Sequence, residues 1–391
     1  MKIDTINDID FQDQHVLVRV DFNVPIDSTL TITDDIRIRE ALPTIEYILN
    51  KRGSVILLSH LGKPNGKRDP KYSLSPIAKH LAKLLNRPVT MAPDVIGPEV
   101  EKLANALKAG EILLLENLRF YDAEEHPEKD PTFAKNLSKL GTFYVNDAFG
   151  TAHRRHSSTV EIVQYFNDRK AIGFLMAKEV SILSKIFTSP DRPFYALIGG
   201  AKISSKIGVL HAILEKADAL FIGGAMAFTF LKVNGISVGK SLVDEEHLDT
   251  AKKILAKAKE KEIPIYLPID VVIKEKETIL TDKSFPSNAI GMDIGKETSD
   301  RWAKLLQKAK TVFWNGPMGV FEVPPFEQGT LAIAKAIASL DATTVIGGGD
   351  SAAAAEALGF ADRFTHISTG GGASLEFIER GSLDALEAIK K

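Results

Sequence analysis

The chain has 391 residues, 44% of them hydrophobic and 26% charged, a composition that excludes bulk disorder at a length that points to more than one core. Lys plus Arg number 49 and Asp plus Glu 51, a net charge of −2, which argues against a protein that coats DNA or an anionic membrane through its overall charge. With no cysteine, disulfides, thiolate metal centres and cysteine nucleophiles are excluded.

The opening residues carry Asp4 and Asp8 and no apolar run, so they are not read as a secretory signal. From there, short β-rich apolar runs alternate with longer amphipathic stretches. Strands are predicted at 16–20, 55–58, 112–115 and 143–145, then at 195–198, 219–222, 265–267, 312–314, 344–346 and 364–367. Helices are predicted at 77–85, 174–187, 204–215, 245–261, 300–310, 329–340 and 351–358. The strand runs are continuously apolar rather than alternating, as in parallel strands buried on both faces. The expected fold class is therefore α/β, with parallel sheets flanked by helices. The longest apolar stretch, 219–231, is broken by Gly223-Gly224 and falls short of a membrane span, so a cytoplasmic enzyme is expected.

The two halves end their strands differently. In the first half the ends are charged or amide-bearing: Arg19-Val20-Asp21-Phe22-Asn23, His60-Leu61-Gly62-Lys63, Glu116-Asn117-Leu118-Arg119, and Asn146-Asp147 running on to His153-Arg154-Arg155-His156. Arginine forks suit phosphate and carboxylate, so a pocket for a small, hydroxylated, doubly anionic molecule is expected there. His153 and His156, three apart, are too few to argue for a metal. In the second half the ends are glycine runs: Gly199-Gly200, Gly223-Gly224, Gly347–Gly349 and Gly370–Gly372. Glycines between strand and helix let a ligand approach the backbone, and a helix start offers N–H groups to an anion. Lys202 and Lys206, four apart after the first run, suggest a phosphate between them.

Standard motifs do not decide the ligand. The stretch 235–241 has one residue too few between its glycines for a Walker A loop. Gly347-Gly348-Gly349-Asp350-Ser351-Ala352 fits a loose dinucleotide pattern, but no acidic residue stands near 367 to hold a ribose. A nicotinamide dehydrogenase and a non-catalytic nucleotide-binding module remain as alternatives.

The ordered strings Arg19–Pro25, Ser59–Pro64, Glu116–Phe120, Asn146–Arg154, Gly199–Lys202, Trp314–Glu322, Gly347–Ser351 and Ser368–Ser374 together resemble the phosphoglycerate kinase family. The resemblance implies two Rossmann-like three-layer domains: 1–172 for 3-phosphoglycerate or 1,3-bisphosphoglycerate, with a C-terminal helix at about 378–391 packed back on it; a helix and hinge at 173–192; and 193–377 for ADP or ATP with Mg²⁺. It implies that Asp21 and Asn23 meet the glycerate hydroxyl and that Arg37 reaches the carboxylate and the phosphoryl in flight. His60, Lys63, Arg119 and Arg154 would hold the 3-phosphate. Lys202 and Lys206 would meet nucleotide phosphates, Asn315, Gly348 and Gly349 would belong to the same site, Asp350 would take the magnesium and Ser351 a phosphate oxygen. Glu322 would hold the ribose, Gly200, Gly223 and Gly224 would line the adenine cleft, and Gly371 and Gly372 would aim N–H groups at the transferring phosphoryl. Lys63 stands where many members carry Arg, and Ser351 where Thr is common. A reversible phosphoryl transfer after domain closure, by a cytoplasmic monomer without nucleic-acid or membrane partners, is what the family leads one to expect.

Overall fold

The computed structural model describes residues 3–391 apart from 283 and 358, with all side chains but those of Asp8 and Asp350. The chain divides into two compact units, Met1–Ser181 with Ser382–Lys391, and Ile182–Gly381.

The first unit is built on a parallel six-stranded sheet: β1 (His15–Arg19), β2 (Ser54–Leu58), β3 (Thr90–Met91), β4 (Ile112–Leu114), β5 (Phe143–Asn146) and β6 (Lys170–Ile172), in the order β3-β4-β2-β1-β5-β6. Every residue of β2, β4 and β5 is buried, which is why those segments read as unbroken apolar runs. The helices are α1 (Ile36–Asn50), α2 (Ser75–Leu85), α3 (Pro98–Ala106), α4 (Asp122–Glu125) and α5 (Thr132–Ser138). α1 buries Ile38, Ala41, Ile45 and Ile48, a stripe at helical spacing that joins Val16, Val18, Val55 and Leu57 in the core. Strand β1 lies between β2 and β5, with Arg19 level with Leu58 on one side and Asn146 on the other. The chain runs from β1 to one side of the sheet and returns to the other at β5, so the β1/β5 carboxyl ends form a switch point, where α/β sheets bind ligands.

Helix α6 (Phe174–Thr188) starts in the first unit and ends in the second. Its first turn is anchored by two buried side chains: Phe174 N donates to Thr44 Oγ1 at 2.8 Å and Met176 N to Asp147 Oδ1 at 3.0 Å. Burial pushes the Asp147 carboxyl up to about 7, against the hydrogen bonds from Thr44 and from the helix N–H groups.

The second unit holds another parallel sheet, β7 (Phe194–Ile198), β8 (Ala219–Ile222), β9 (Ile265–Tyr266), β13 (Thr311–Asn315), β14 (Thr343–Gly347) and β15 (His366–Ser368), in the order β15-β14-β13-β7-β8-β9. Between β9 and β13 in sequence comes a small antiparallel sheet of β10 (Asp270–Ile273), β11 (Thr278–Leu280) and β12 (Gly291–Ile294). The helices are α7 (Ile207–Leu214), α8 (Met226–Val233), α9 (Leu248–Glu260), α10 (Lys296–Leu306), α11 (Gln328–Ala338), α12 (Gly349–Ala357) and α13 (Gly371–Arg380). Here the switch point is β7/β13, with Ile198 level with Asn315. Helix α14 (Asp384–Ile389) returns to the first unit, where Ala385 N donates to Ala152 O at 3.0 Å and Lys170 Nζ to Ala388 O at 3.1 Å. Among the described residues no helix is long and apolar enough to cross a membrane.

The architecture is the expected one, two parallel sheets flanked by helices, with local differences. The segment 204–206 is a 3-10 turn and α7 begins only at Ile207, so Lys202 precedes the helix instead of sharing its first turn with Lys206. The last strand begins at His366 rather than 364, and α10 begins at Lys296 rather than 300.

Candidate active site

At the carboxyl ends of β1 and β2 the chain gathers its buried charge. Asp21 is 8% exposed; its Oδ2 accepts from Arg37 Nη1 at 3.1 Å, and its Oδ1 from Asn23 N at 3.2 Å. Arg37, in the first turn of α1, also donates to Asn23 O at 3.2 Å, so two bonds on one nitrogen fix the direction of its fork. Asn23 Oδ1 accepts from Gly62 N at 2.8 Å, tying the β1 and β2 loops together.

His60 is buried, and its Nδ1 lies 3.4 Å from Arg19 Nη2. Burial first, then Arg19, Arg119, His156 and Arg37, hold its pKa well below 6.5, so the ring is neutral at pH 7. A neutral ring that accepts from Arg19 at Nδ1 carries its proton on Nε2, where it can donate to a ligand. Arg119 is 3% exposed, and its Nη1 donates to Gly62 O at 2.8 Å. Its Nη2 stands 3.0 Å from Glu125 Oε1 at an angle outside hydrogen bonding, and its buried Nε has no hydrogen-bond partner. Arg154 is exposed, with Nε donating to His153 Nε2 at 3.3 Å, and its charge bears on both Arg119 and His156. Lys63 is exposed on the loop that carries His60.

Behind this cup lies a buried network absent from the sequence reading. Arg19 donates through Nε to Ser158 Oγ at 2.8 Å and through Nη1 to the Val20 carbonyl, and its Nη2 is 3.9 Å from Glu124 Oε1. Glu124, fully buried, accepts from Ser158 N at 3.0 Å and Ser158 Oγ at 2.6 Å. Burial raises its pKa while Arg19 and Ser158 oppose the rise. His156 is pushed down to about 3 by burial and by the arginines Arg19, Arg119 and Arg154. Nothing in the string Asp122–Glu125 shows which acid turns inward; only the position of Arg19 at the end of a buried strand hints that a partner is needed. Glu116 and Asn117, part of the recognisable motif, are scaffold: Asn117 Nδ2 donates to Leu61 O at 2.8 Å and Tyr72 O at 2.9 Å, and Glu116 Oε1 accepts from Leu74 N at 2.9 Å.

In the second unit the glycine loops come together at the switch point. Gly224, at φ +63°, presses on Gly200, where an added Cβ would stand 2.6 Å from its N. Gly371 opens α13 against Gly348, with room for no side chain: a Cβ there would lie 2.7 Å from Gly348 Cα. The starts of α12 and α13, which include Gly349, Asp350, Ser351, Gly371 and Gly372, therefore leave helix-start N–H groups near each other. Lys206 Nζ donates to Asn315 Oδ1, and Asn315 Nδ2 donates to Gly347 O. Ser351 Oγ accepts from Gly316 N at 2.5 Å, which keeps its hydroxyl proton for another acceptor. Lys202 is exposed before the 3-10 turn. The Asp350 side chain, expected to meet a metal, lies outside the described residues.

Beside these loops runs a largely apolar cleft, lined by Gly200, Gly224, Phe228, Met292, Met318 and Glu322 among others. Gly223 lies against Met318: a Cβ on it would stand 2.4 Å from the sulfur. One wall comes from the antiparallel sheet, through Val271, Gly291 and Met292, which the sequence reading did not find. Phosphate-ready N–H groups beside an apolar slot suit a nucleotide, with the base in the slot.

The family model for phosphoglycerate kinase matches residues 6–381. The phosphoglycerate kinases of Anaeromyxobacter sp. (strain Fw109-5) and Chloroherpeton thalassium are each 50% identical over 398 residues, covering 100% of this chain and 100% and 99% of their own lengths. Among solved structures, phosphoglycerate kinase from Coxiella burnetii superposes with a TM-score of 0.87 at 37% identity, covering 99% of both chains, and that from Pyrococcus horikoshii with 0.85 at 34%, covering 99% of this chain and 98% of its own. With both sheets, their switch points and the ordered motifs accounted for, the chain belongs to the phosphoglycerate kinase family.

Proposed function

We propose a division of labour for the glycolytic phosphoryl transfer that family membership gives this chain. The reaction is 1,3-bisphosphoglycerate + ADP ⇌ 3-phosphoglycerate + ATP, a phosphotransfer with a carboxyl group as acceptor in the ATP-consuming direction. In this reading the first unit, near 1–172, receives phosphoglycerate, and the second, near 193–377, receives the nucleotide. The observation that carries it is the cup around Arg37, neutral His60 and Arg119, in which the buried Arg119 Nε is a charged donor without a partner, a group that an anion would satisfy.

Asp21 and Asn23 then meet the glycerate hydroxyl, Arg37 the carboxylate and the phosphoryl in flight, and His60, Lys63, Arg119 and Arg154 the 3-phosphate. Gly200, Gly223 and Gly224 line the adenine slot and Glu322 holds the ribose. Lys202, Lys206, Asn315, Gly348, Gly349 and Ser351 serve the nucleotide phosphates. Gly371 and Gly372 turn N–H groups toward the transferring phosphoryl. Among the described residues no three His, Asp or Glu side chains converge to hold a metal ion. An ion here would take most ligands from phosphate and water with Asp350 as its protein ligand, the habit of Mg²⁺. When bound, the ion would supply positive charge that offsets the charge of the nucleotide phosphates, with Asp350 as the residue that would hold it.

The nucleophile is the substrate carboxylate, ionised at pH 7, so no general base is needed. Its oxygen forms the new P–O bond as the bond from the γ-phosphorus to ADP breaks, and ADP keeps the electron pair. The protein's part is to align the two ligands and to meet the charge on the phosphoryl with Arg37, Lys202 and the glycine N–H groups. Substrates held by different units have to be brought together, so the reading requires closure, which also keeps water from the acyl phosphate. A cytoplasmic monomer is what the family resemblance implies, and the net charge of −2 bears only on partners, arguing against a protein that coats nucleic acid or an anionic membrane. A coupled assay tests the reading: ATP consumption that requires both 3-phosphoglycerate and Mg²⁺ is expected, and ATP turnover indifferent to 3-phosphoglycerate contradicts it.

A further inference from the structure

We propose that Asp293 is a positioning residue of the nucleotide cleft, holding the loop 316–322 in the shape that receives base and ribose. The inference rests on the reading of this cleft as the nucleotide site. Asp293 lies on β12, 3% exposed, and each carboxylate oxygen accepts from a different backbone N–H. Oδ2 accepts from Gly329 N in the first turn of α11 at 2.6 Å, and Oδ1 from Ile294 N at 2.8 Å. The loop crosses the carboxylate at Gly319, where an added Cβ would lie 2.2 Å from Oδ1.

Both structures that Asp293 joins also fasten the loop. Val320 N donates to Met292 O on β12 at 2.9 Å, and Met318 N to Thr330 Oγ1 on α11 at 3.0 Å. The carboxylate therefore sets the spacing of two supports between which the loop hangs, and that loop brings Met318, Val320 and Glu322 to the cleft. A buried carboxyl is a costly brace; burial and the neighbouring Glu327 push it up to about 7. An apolar side chain would serve packing alone. The two accepting oxygens are what the geometry uses.

The full chain carrying Asp293→Asn, which can accept at only one of the two oxygens, and the chain carrying Gly319→Ala, which drives a methyl group at Oδ1, test this. Both should raise the Kd for ADP and the KM for ATP about ten-fold, the size of one lost charge-assisted hydrogen bond. The KM for 3-phosphoglycerate and the kcat at saturating ATP should stay within about two-fold. A lowered melting temperature with unchanged nucleotide affinity in both variants overturns the proposal, as does an equal rise in both KM values. Should Asp293→Asn fail to fold, Gly319→Ala decides the question by the same readings. Val320→Trp, which fills the cleft mouth, separates the two ideas. If it binds ADP normally, the nucleotide reading falls and the proposal with it. If it loses ADP while the other two variants bind normally, Asp293 alone is rejected.

Discussion

Replacing Arg37 with alanine removes the side chain asked to meet the phosphoryl between its two carriers. The structure sets the size of the effect. Nη1 is committed to Asp21 Oδ2 at 3.1 Å and Asn23 O at 3.2 Å, and the side chain is 33% exposed, so Nε and Nη2 remain for a ligand. Each charge-assisted hydrogen bond contributes about 1.5–3 kcal/mol, and donors aimed at developing charge act mainly in the transition state. A loss of about 3–4 kcal/mol lowers kcat by roughly two to three powers of ten. Nucleotide affinity should barely move, since no nucleotide residue of the second unit touches Arg37 in the reading given. Arg37→Lys keeps the charge without the fork and should fall between. Initial rates over full ATP and 3-phosphoglycerate ranges give kcat and both KM values. A kcat for Arg37→Ala within about three-fold of the unaltered protein would refute the role.

The remaining predictions concern the network behind the cup and its ionisation. Arg19→Met leaves Glu124 as a buried carboxylate without its cation, and should destabilise the first unit by about 3–5 kcal/mol, with Arg19→Met/Glu124→Gln recovering most of it in chemical denaturation; a double variant no better than the single one contradicts the pairing. His156 has a folded pKa of about 3, below the unfolded 6.5, so the unfolded chain binds the extra proton between those values. Its contribution is complete above pH 6.5 and is lost as pH falls toward 3, with a slope of about 1.4 kcal/mol per pH unit. Asp147 and Asp293, raised to about 7, act in the opposite sense over the overlapping range, so the measurement is the difference between the unaltered chain and His156→Gln. Stability curves that run parallel from pH 6.5 to 4.5 exclude the assignment.

Much of the architecture was legible because buried parallel strands are chemically monotonous: β2 and β13, buried throughout, stand out as apolar runs. What failed was short or mixed. β3 has two residues, and the antiparallel β10 to β12 are short and mix buried with partly or fully exposed positions, so neither leaves a continuous apolar signal. α1 carries Pro43 in its interior, which argues against a helix until the packing of Ile38, Ile45 and Ile48 overrides it. The mouth residues were legible because Asp21, His60 and the glycine runs follow strands directly, and Arg119 lies in the 3-10 turn that comes after β4. The buried roles of Glu124, Asp147 and Asp293 were not, because an acid is buried by what the fold places around it: Asp147 read only as one more polar strand end, Glu124 sits in an acidic turn, and Asp293 lies on a short strand that left no signal. The Lys202 and Lys206 pair misled for a related reason: a four-residue spacing predicts one helix face only if the helix has begun.

The claim on which the account depends is that phosphoglycerate and nucleotide are held by different units through different chemistry. The direct test is to measure 3-phosphoglycerate and ADP binding separately on full chains carrying Arg119→Met or Gly371→Val. The first should lose 3-phosphoglycerate and keep ADP, and the second should do the reverse. If either variant loses both ligands while its fold is intact, or loses the one it should keep, the two-cup account is wrong.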